Sequence, residues 1–453
     1  MDSVFYAFIR RNMKIYIPGA LVIAIVSFLN VMGSTQQSDL KTKVDQKALL
    51  IESKVVNWRH HLHQYPELSN REFKTAAYIT AHLRNLGLEV KTNIAHTGVV
   101  GILHGGKPGP VVALRADMDA LPVKERVDLP FASKAKGEYL GEEVDVMHAC
   151  GHDAHMAILM GAAEILSSLK SSLSGTIVFI FQPAEEQAPP GEEGGAALMI
   201  KEGVLDDPKV DVIFGLHMAS GLEINKIRYK PGSIMAAVNS MTIKVKGKQS
   251  HGSAPWTGVD PIVTSAQIIM GLQTIVSRQM DLTREAVVIS IGKIEGGVRS
   301  NIIPEEVTML GTIRTLDTAM QRIIHQKIRH TITTIAESMG ATAEVYIDKG
   351  YPVTVNDLEL TRQMLPTLNE AAGEENVIVM KPMTGAEDFS FYAREIPGLF
   401  FFLGGMPSGM NSAEASLHHT PDFFLDDRSL LLGMRALSYL ALDYMANNPM
   451  QKQ

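Results

Sequence analysis

Cysteine is almost absent from this chain of 453 residues, which contains a single one, Cys150. A lone cysteine excludes an intrachain disulfide, so any role of Cys150 is that of a thiol or a metal ligand. Positively charged residues are fewer than negatively charged ones. The chain has 42 Lys and Arg residues and 49 Asp and Glu residues, which gives a net charge of −7. Without a cluster of basic residues, the chain lacks the charge pattern that nucleic-acid binding requires.

Internal repeats and low-complexity tracts are missing as well. Hydrophobic residues make up 45% of the chain and charged residues 20%. This composition is too apolar for a disordered chain and is typical of a soluble globular protein. The length is sufficient for two or three domains, each with its own core.

The N-terminal segment carries the one membrane-related pattern. Arg10, Arg11 and Lys14 precede an uncharged stretch at 15–32, and polar residues follow it. This order is typical of an export signal. The stretch is also just long enough to span a bilayer, so a cleaved signal and an uncleaved membrane anchor both stay open. We expect an exported protein, periplasmic or secreted, and predict that residues 1–40 lie outside the fold.

Predicted strands and helices alternate along most of the remaining chain. Over residues 41–230 this alternation predicts an α/β sheet that is at least partly parallel. Between 231 and 350 the predicted order changes to β-α-β-β-α-β, which is the ferredoxin-like arrangement. We therefore predict one catalytic domain formed by 41–230 and 351–453, with a second domain inserted at 231–350.

Side chains able to bind metal follow three predicted strands: Asp117 and Asp119, the pair Glu185 and Glu186, and His217. Ligands of open α/β sheets bind beyond the carboxyl ends of the strands, so we expect these side chains to converge. The stretch MHACGHDAH at 147–155 adds a thiol and three imidazoles at the start of a predicted helix.

Each of these residues has an ordinary structural explanation when taken alone. An Asp-x-Asp after a strand is more often a turn or a helix cap, and a single cysteine is more often a small buried hydrophobic side chain. Four separate segments with nitrogen, oxygen and sulfur donors are hard to explain in this way, and they predict a metal site. One of two adjacent glutamates can bind metal while the other acts as general base toward metal-bound water, which attacks an amide carbonyl. The sequence therefore predicts a metallohydrolase.

Six motifs together carry a family resemblance: RADMDALP (115–122), MHACGHDAHM (147–156), FQPAEE (181–186), GLH (215–217), KGKQSHGSAPWTGVDPI (246–262) and SLHHTPDFF (416–424). Over about residues 45–445 the chain resembles the dinuclear-zinc aminoacylase and carboxypeptidase superfamily. Within it, the chain is most similar to the branch of hippurate hydrolases, N-acyl-amino-acid amidohydrolases and indoleacetyl-amino-acid hydrolases. The resemblance implies a zinc-peptidase-like catalytic domain with a mixed central sheet flanked by helices, plus an inserted ferredoxin-like α+β domain for lid closure and dimerisation.

The resemblance also implies two divalent metal ions, Zn²⁺ or instead Mn²⁺ or Co²⁺, with five ligands: Cys150, His152, Glu186, His217 and His418. Glu185 would be the general base and then the proton donor to the leaving amine, while Asp119 would orient a ligand. His418 is preferred over His419 because the branch has a Leu-His pattern. The identity of the bridging ligand stays open, because other branches place a histidine where this chain has Asp117.

In the inserted domain the resemblance assigns His251 to an active site, often that of the partner subunit, where it stabilises the oxyanion. Asn301 and Arg314 are candidates for binding a substrate carboxylate, and an edge-strand Asn and a surface Arg are the alternatives. GAEDFS at 385–390 matches a loop near the substrate, which makes Gly385 and Glu387 further candidates.

The expected reaction is hydrolysis of the amide bond of an N-acyl-amino acid by metal-bound hydroxide, with Glu185 as general base. A metallo-carboxypeptidase or dipeptidase that acts on short peptides is the alternative. Two further hypotheses are a thiol hydrolase with Cys150 as nucleophile and a binding protein without catalysis. The expected partners are a small substrate molecule and a second copy of the chain that pairs through the inserted domain, with no nucleic acid.

Overall fold

The computed structural model describes the backbone of residues 19–448 and the side chains of residues 37–448. The predicted export signal therefore lies mostly outside the described part. Residues 1–18 are not described, and for residues 19–36 only the backbone is. Within the described part, none of the helices combines the length and the apolar character needed to cross a membrane.

The elements of the first chain portion are α1 (Gly19–Gln64), α2 (Phe73–Asn85), β1 (Glu89–Ile94), β2 (Gly98–His104), β3 (Lys107–Asp117), β4 (Lys136–Tyr139), β5 (Glu142–Asp145), α3 (His152–Ser168), β6 (Ser174–Gln182), α4 (Gly195–Lys201), β7 (Val212–Glu223), β8 (Ile227–Tyr229) and β9 (Gly232–Met235). The middle portion comprises β10 (Ala237–Lys246), β11 (Ser250–His251), α5 (Pro261–Thr274), β12 (Val287–Gly296), β13 (Ile302–Ile303), β14 (Glu306–Thr315), α6 (Thr318–Ser338) and β15 (Thr342–Lys349). The last portion comprises β16 (Thr354–Asn356), α7 (Leu358–Ala372), β17 (Val377–Val379), α8 (Phe389–Glu395), β18 (Gly398–Met406) and α9 (Ser429–Asn447).

An eight-stranded mixed sheet forms the centre of the larger unit, with the strand order β1-β2-β6-β3-β7-β18-β8-β17. Its middle strands β6, β3, β7 and β18 are parallel to one another. Buried apolar residues of α1, α2, α3, α7 and α9 pack on one face and those of α4 and α8 on the other. The predicted mixed sheet flanked by helices is confirmed.

The middle portion forms a separate four-stranded antiparallel sheet in the order β12-β14-β10-β15. Helices α5 and α6 cover it and share its core. In α6 the buried residues recur every fourth position, at Met320, Ile324, Ile328, Ile332 and Ala336, as a helix with one apolar stripe requires. The predicted β-α-β-β-α-β order is therefore present, while the predicted boundaries at 231 and 350 stay a prediction.

Two local features differ from the sequence prediction. Helix α1 continues without a break across residue 40, and Gln37 Nε2 donates to Asp443 Oδ1 of α9 at 2.5 Å. The packed structure thus begins before residue 41, because side chains of α1 reach α9. His217 lies within β7 and not beyond its end, because pairing with β18 extends that strand to Glu223.

Candidate active site

The carboxyl edge of the parallel strands brings the predicted metal-binding side chains together. Asp117 ends β3, the Glu185-Glu186 pair follows β6, and His217 extends from β7. Cys150 immediately precedes α3, whose backbone turns at Gly151 with φ = 99°. A side chain at position 151 would be strained at this φ, and its Cβ would lie 3.0 Å from Met218 Cβ.

Cys150 lies at the centre of one group of donors. Its Sγ is 3.4 Å from His217 Nε2 and 3.2 Å from His419 Nε2. His217 Nδ1 is 2.7 Å from the carbonyl oxygen of Met218 and donates to it, so the lone pair of Nε2 faces the sulfur. Burial and the carboxylates of Glu186 and Glu185 raise the pKa of the Cys150 thiol, so a thiolate here requires a cation beside it.

His152, the first residue of α3, faces the glutamate pair. Its Nε2 is 3.9 Å from Glu185 Oε2 and 4.0 Å from Glu186 Oε1, while its Nδ1 is 3.3 Å from Asp119 Oδ1. Burial alone would lower the pKa of His152, but the charges of Asp117 and Asp119 raise it to about 10. Asp119 thus faces Nδ1 while Nε2 faces the glutamates, and the orienting role of this aspartate stays a prediction.

The structure favours His419 over His418 in the donor cluster. His419 Nε2 lies 2.9 Å from Glu186 Oε1 and, together with Cys150 and Glu186, belongs to a group whose ligand atoms are all within 4.8 Å of one another. His418 Nδ1 is 3.6 Å from Cys150 Sγ, and its Nε2 accepts the N–H of Ser220 at 3.3 Å. The neutral His418 ring therefore carries its proton on Nδ1 and presents a donor, not a lone pair, to the sulfur.

Three consecutive backbone N–H groups hold the turn that carries the glutamate pair. Ala184 N–H donates to Glu72 Oε1 at 3.0 Å, Glu185 N–H to Asp119 Oδ1 at 3.0 Å, and Glu186 N–H to Asp119 Oδ2 at 2.9 Å. Ala184 has φ = 53°, a backbone conformation that is uncommon for residues other than glycine. The two carboxylates stabilise this turn and thereby aim Glu185 and Glu186 at the site.

The side chain of Arg115 forms ion pairs with three buried carboxylates next to the donor cluster. Its guanidinium is fully buried and lies 2.8 Å from Asp117, 3.0 Å from Glu387 and 2.8 Å from Asp388. Burial raises the pKa of Glu387 to about 8 and that of Asp388 to about 6, although Arg115 opposes both shifts. Removing Arg115 would leave Glu387 and Asp388 buried without this cation, whereas Asp117 would keep His155, whose Nδ1 is 2.5 Å from it.

Glu185 is the buried carboxylate best placed for proton transfer. Its exposed fraction is 5%, and burial together with the charges of Glu387 and Glu186 raises its pKa above the usual range. Tyr351 Oη donates to the carbonyl oxygen of Glu185 at 2.5 Å and ties this residue to the segment that follows the four-stranded sheet. A raised pKa suits a group that first accepts and later donates a proton.

A cavity of about 580 Å³ opens onto the donor cluster. Cys150, Glu185, Glu186, His217, His418 and His419 line it, and so do the predicted substrate-binding residues Arg314, Gly385 and Glu387. The remaining wall is largely apolar and includes Met218, Met235, Val238, Met380, Met383 and Phe402. A pocket with apolar walls and a few converging polar groups is typical of a small-molecule site.

His251 and Asn301 lie in a different place. Both are exposed and line a second cavity of about 640 Å³, which lies in the inserted domain and shares no lining residue with the first. His251 Nδ1 accepts the N–H of Ser253 at 3.1 Å, so the neutral ring carries its proton on Nε2. The structure of one chain thus does not bring these two residues to the donor cluster.

Two buried residues of the site, Glu72 and Arg115, were not predicted as site residues from the sequence. Arg115 offered a signal, because an arginine inside an otherwise apolar predicted strand needs buried partners. Glu72 offered none, since an acidic residue directly before a helix is common on protein surfaces.

Comparison with known proteins identifies the family. Residues 113–443 match the model of "Peptidase family M20/M25/M40". The chain belongs to this family. Thermostable carboxypeptidase 1 of Saccharolobus solfataricus is 40% identical over 90% of this chain and 99% of its own length. N-acetyl-L-cysteine deacetylase of Bacillus subtilis is 37% identical over 84% of this chain and 86% of its own length.

A solved structure of the M20 family matches the same region. The Bacillus subtilis YXEP protein, described as a dinuclear metal-binding peptidase, has a TM-score of 0.73 and 34% identity over 87% of this chain and 99% of its own. The resemblance stated from the motifs is therefore confirmed, and so are the zinc-peptidase-like fold and the assignment as a metal-dependent hydrolase of linear amides. The family and this dinuclear neighbour together suggest two metal ions for the M20 chain.

The donors of this M20 chain fit such ions. His152 Nε2 is buried and has no hydrogen-bond partner among the described residues. Buried polar atoms without partners are costly, and metal ions would satisfy them. A thiolate, imidazoles and carboxylates are the donor types that Zn²⁺ and related transition ions accept.

Proposed function

We propose that this enzyme hydrolyses the amide bond of N-acyl-amino acids and releases the free amino acid. The observation that carries the proposal is the placement of Glu185 beside the Cys150–His152 donor group, in the wall of a largely apolar cavity that also contains Arg314. The apolar wall suits an acyl chain, and a guanidinium suits the carboxylate of an amino acid. The names of the deacetylase and the carboxypeptidase relatives support substrates of this kind.

The proposed metal ligands are Cys150, His152, Glu186, His217 and, in place of His418, His419. Zn²⁺ is the proposed ion, with Mn²⁺ or Co²⁺ as substitutes, because a thiolate and imidazoles favour these metals. When bound, the ions would polarise the amide carbonyl and lower the pKa of water. Asp119 orients His152 toward them.

Glu185 carries the proton through the reaction. In the proposed mechanism its carboxylate accepts a proton from the attacking water and then donates it to the nitrogen of the leaving amine. Its buried position raises its pKa and lets it hold that proton between the two steps. Arg314 binds the substrate carboxylate, and Gly385 and Glu387 line the wall beside it.

His251 and Asn301 would complete the site of a second subunit. His251 is exposed and carries its proton on Nε2, as a donor to a developing oxyanion requires. Strand β12 is an edge of the four-stranded sheet; Ile294 within it is 51% exposed, and Val298 just after it is 92% exposed. An exposed apolar edge strand favours pairing with another copy, so we propose a homodimer that forms through the inserted domain.

Metal analysis combined with a substrate panel tests the proposed function. The panel contains N-acetyl-, N-benzoyl- and indoleacetyl-amino acids together with dipeptides and C-terminally blocked peptides. We expect hydrolysis of the N-acyl-amino acids to be lost with a chelator and restored by Zn²⁺, Mn²⁺ or Co²⁺. Glu185→Gln should keep the metal content and lower kcat by about 100-fold or more, because the general base is removed.

The same panel separates the alternatives. Turnover of peptides alone would assign a carboxypeptidase or dipeptidase. Full activity after complete metal removal would favour Cys150 as a nucleophile. Stoichiometric metal without hydrolysis of any compound would contradict the proposed function and favour a binding protein.

Export of the protein remains a separate proposal that rests on the sequence of residues 1–40. Fractionation of producing cells, with an antibody to the C-terminal part, tests it. Enzyme in the periplasm or medium with a shortened N-terminus indicates a cleaved signal. Full-length enzyme in the membrane fraction indicates an anchor, and full-length enzyme in the cytoplasm contradicts export.

A further inference from the structure

Arg228 lies in the wall of the active-site cavity. It is the middle residue of β8, paired with Phe402 of β18 on one side and with Ile378 of β17 on the other. The side chain is half-buried and lines the same cavity as Cys150 and Glu185. The sequence motifs did not include it.

This arginine has no protein counter-charge within residues 37–448. No carboxylate lies within 4.0 Å of it, and its guanidinium makes no hydrogen bond to protein. Its neighbours in the same segment differ, because Lys226 Nζ is 2.7 Å from Glu223 and Lys230 Nζ is 4.0 Å from Glu285. A half-buried guanidinium beside methionines and Phe402 costs free energy unless an anion satisfies it.

A second guanidinium lines the same cavity. Arg314 Nε donates to Thr312 Oγ1 at 3.2 Å, and no carboxylate among the described side chains lies within 4.0 Å of Arg314, so its charge is also available to a ligand. One carboxylate of an N-acyl-amino acid can neutralise one of these two arginines. The other then remains as a positive charge in a partly apolar wall.

We propose that the preferred substrate carries a second anionic group, a carboxylate that Arg228 binds while Arg314 binds the carboxylate of the amino acid. This inference rests on the proposed function and names a narrower substrate class within it. Two positions for the second carboxylate are chemically open: the far end of a dicarboxylic acyl chain, and the side chain of an acidic amino acid. Both present the same planar anion to the planar guanidinium.

Matched substrate pairs distinguish these two positions. The acyl pair is N-succinyl-leucine and N-pentanoyl-leucine, and the side-chain pair is N-acetylglutamate and N-acetylglutamine. Each pair differs in one negative charge at nearly constant size. We expect the metal-loaded enzyme to prefer the dianionic member of one pair, which identifies the position of the second carboxylate.

The decisive variant is Arg228→Met, which replaces the cation by an apolar chain of the kind that already lines the wall. We expect kcat/KM for the preferred dianionic substrate to fall by about 10- to 100-fold, as loss of a charge-assisted hydrogen-bonded pair predicts, and that for its neutral partner to change little. Arg228→Lys should keep part of the preference. Lys230→Gln is the matched control, since it removes a nearby positive charge that does not line the cavity, and it should leave the preference intact.

Equal losses for both members of the pair in Arg228→Met would overturn the inference, and so would an absence of charge preference in both pairs. Calorimetric binding of the four compounds to Glu185→Gln protein gives the same comparison without turnover. If the wild-type enzyme hydrolyses none of the four and no member of the N-acyl-amino-acid panel, the proposed function fails. Selective binding of the dianionic compounds through Arg228 would still be visible in the calorimeter.

Discussion

Glu72 stabilises the turn that carries the glutamate pair, although it lies 113 positions before Glu185 in the chain. Its carboxyl group is buried and bonded to Ala184 N–H and Thr97 Oγ1, and burial together with the charge of Asp119 raises its pKa to about 8. Glu72 touches no substrate in the proposed mechanism. It is a positioning residue that acts through the backbone of the turn.

Glu72→Ala should therefore reduce kcat more than KM. We expect a loss of about 10-fold or more in kcat, because one lost hydrogen bond to a strained turn misplaces the proton-transfer group. Glu72→Gln keeps an acceptor oxygen for Ala184 N–H and should restore most of kcat. Metal content and melting temperature of both variants, measured in parallel, separate this effect from misfolding. A KM increase at unchanged kcat would contradict the positioning role.

The adjacent histidines His418 and His419 provide a second comparison at the residue scale. If His419 is the ligand, His419→Ala should lower the amount of tightly bound metal by about one ion per chain and reduce activity strongly. His418→Ala removes a neighbouring ring with a proton directed at the sulfur and should keep both ions. Metal analysis after dialysis against a weak chelator measures the difference. Loss of metal from His418→Ala alone would support His418, the ligand predicted from the sequence.

At the scale of elements, a buried charge network joins α1 to α3. His63 of α1 lies 3.0 Å from Asp153 of α3 and 3.1 Å from Glu125, and Arg59 is 3.0 Å from the same Asp153. Burial alone would lower the pKa of His63, but the hydrogen bond and charge of Asp153 and the hydrogen bond to Glu125 raise it to about 9. The protonated imidazole thus helps to hold α1 on the sheet.

The raised pKa of His63 predicts a pH dependence of stability. A group whose pKa is raised from about 6.5 to about 9 by folding contributes its full stabilisation below pH 6.5 and loses it as the pH rises through 9. Urea unfolding of wild type and His63→Gln between pH 6 and pH 9.5 measures this. We expect wild type to lose about 1–3 kcal/mol more than the variant over this interval. Parallel pH profiles for the two proteins would contradict the assignment.

At the scale of the whole molecule, the two separate cavities make a prediction about assembly. His251→Ala and Glu185→Gln should each be inactive as pure proteins. If His251 acts in the partner's site, a mixed dimer contains one site with both an intact Glu185 and an intact His251. Random re-pairing of the two variants should therefore restore up to about one quarter of wild-type activity.

The complementation experiment has its own control. The mixture must be dissociated and reassociated, and its mass measured by light scattering, so that re-pairing is demonstrated. Activity that stays at the level of the separate variants in a proven dimer would contradict the shared site. A protein that is monomeric yet active would contradict the proposed dimer.

Much of the fold follows from local sequence pattern. The apolar stripe of α6 reflects burial on one face of that helix. The continuous apolar runs of β3, β6 and β7 reflect burial on both faces of the sheet. The start of the packed chain was less predictable. Polar residues of α1 such as Gln37 pair with α9, and a contact over 406 positions leaves no local pattern.

The donor types of the site were also determined by sequence. Cys150, His152, Glu185, Glu186 and His217 stand at predicted strand and helix ends, and such ends meet at one edge of a parallel sheet. Their residue types favour metal-dependent hydrolysis over the alternatives, before the details of packing are known. This part of the prediction required only the order of elements and the chemistry of side chains.

Only the tertiary structure decided which of several equivalent side chains reaches the site. The choice between His418 and His419 depends on ring orientation and on which nitrogen accepts a backbone N–H. The roles of Glu72 and Arg228 depend on their surroundings. Glu72 bonds to a strained turn, and Arg228 lies in a largely apolar wall without a counter-charge among the described residues. Orientation, burial and pairing arise from contacts between distant segments, so the sequence by itself determined the reaction type and the structure decided the placement.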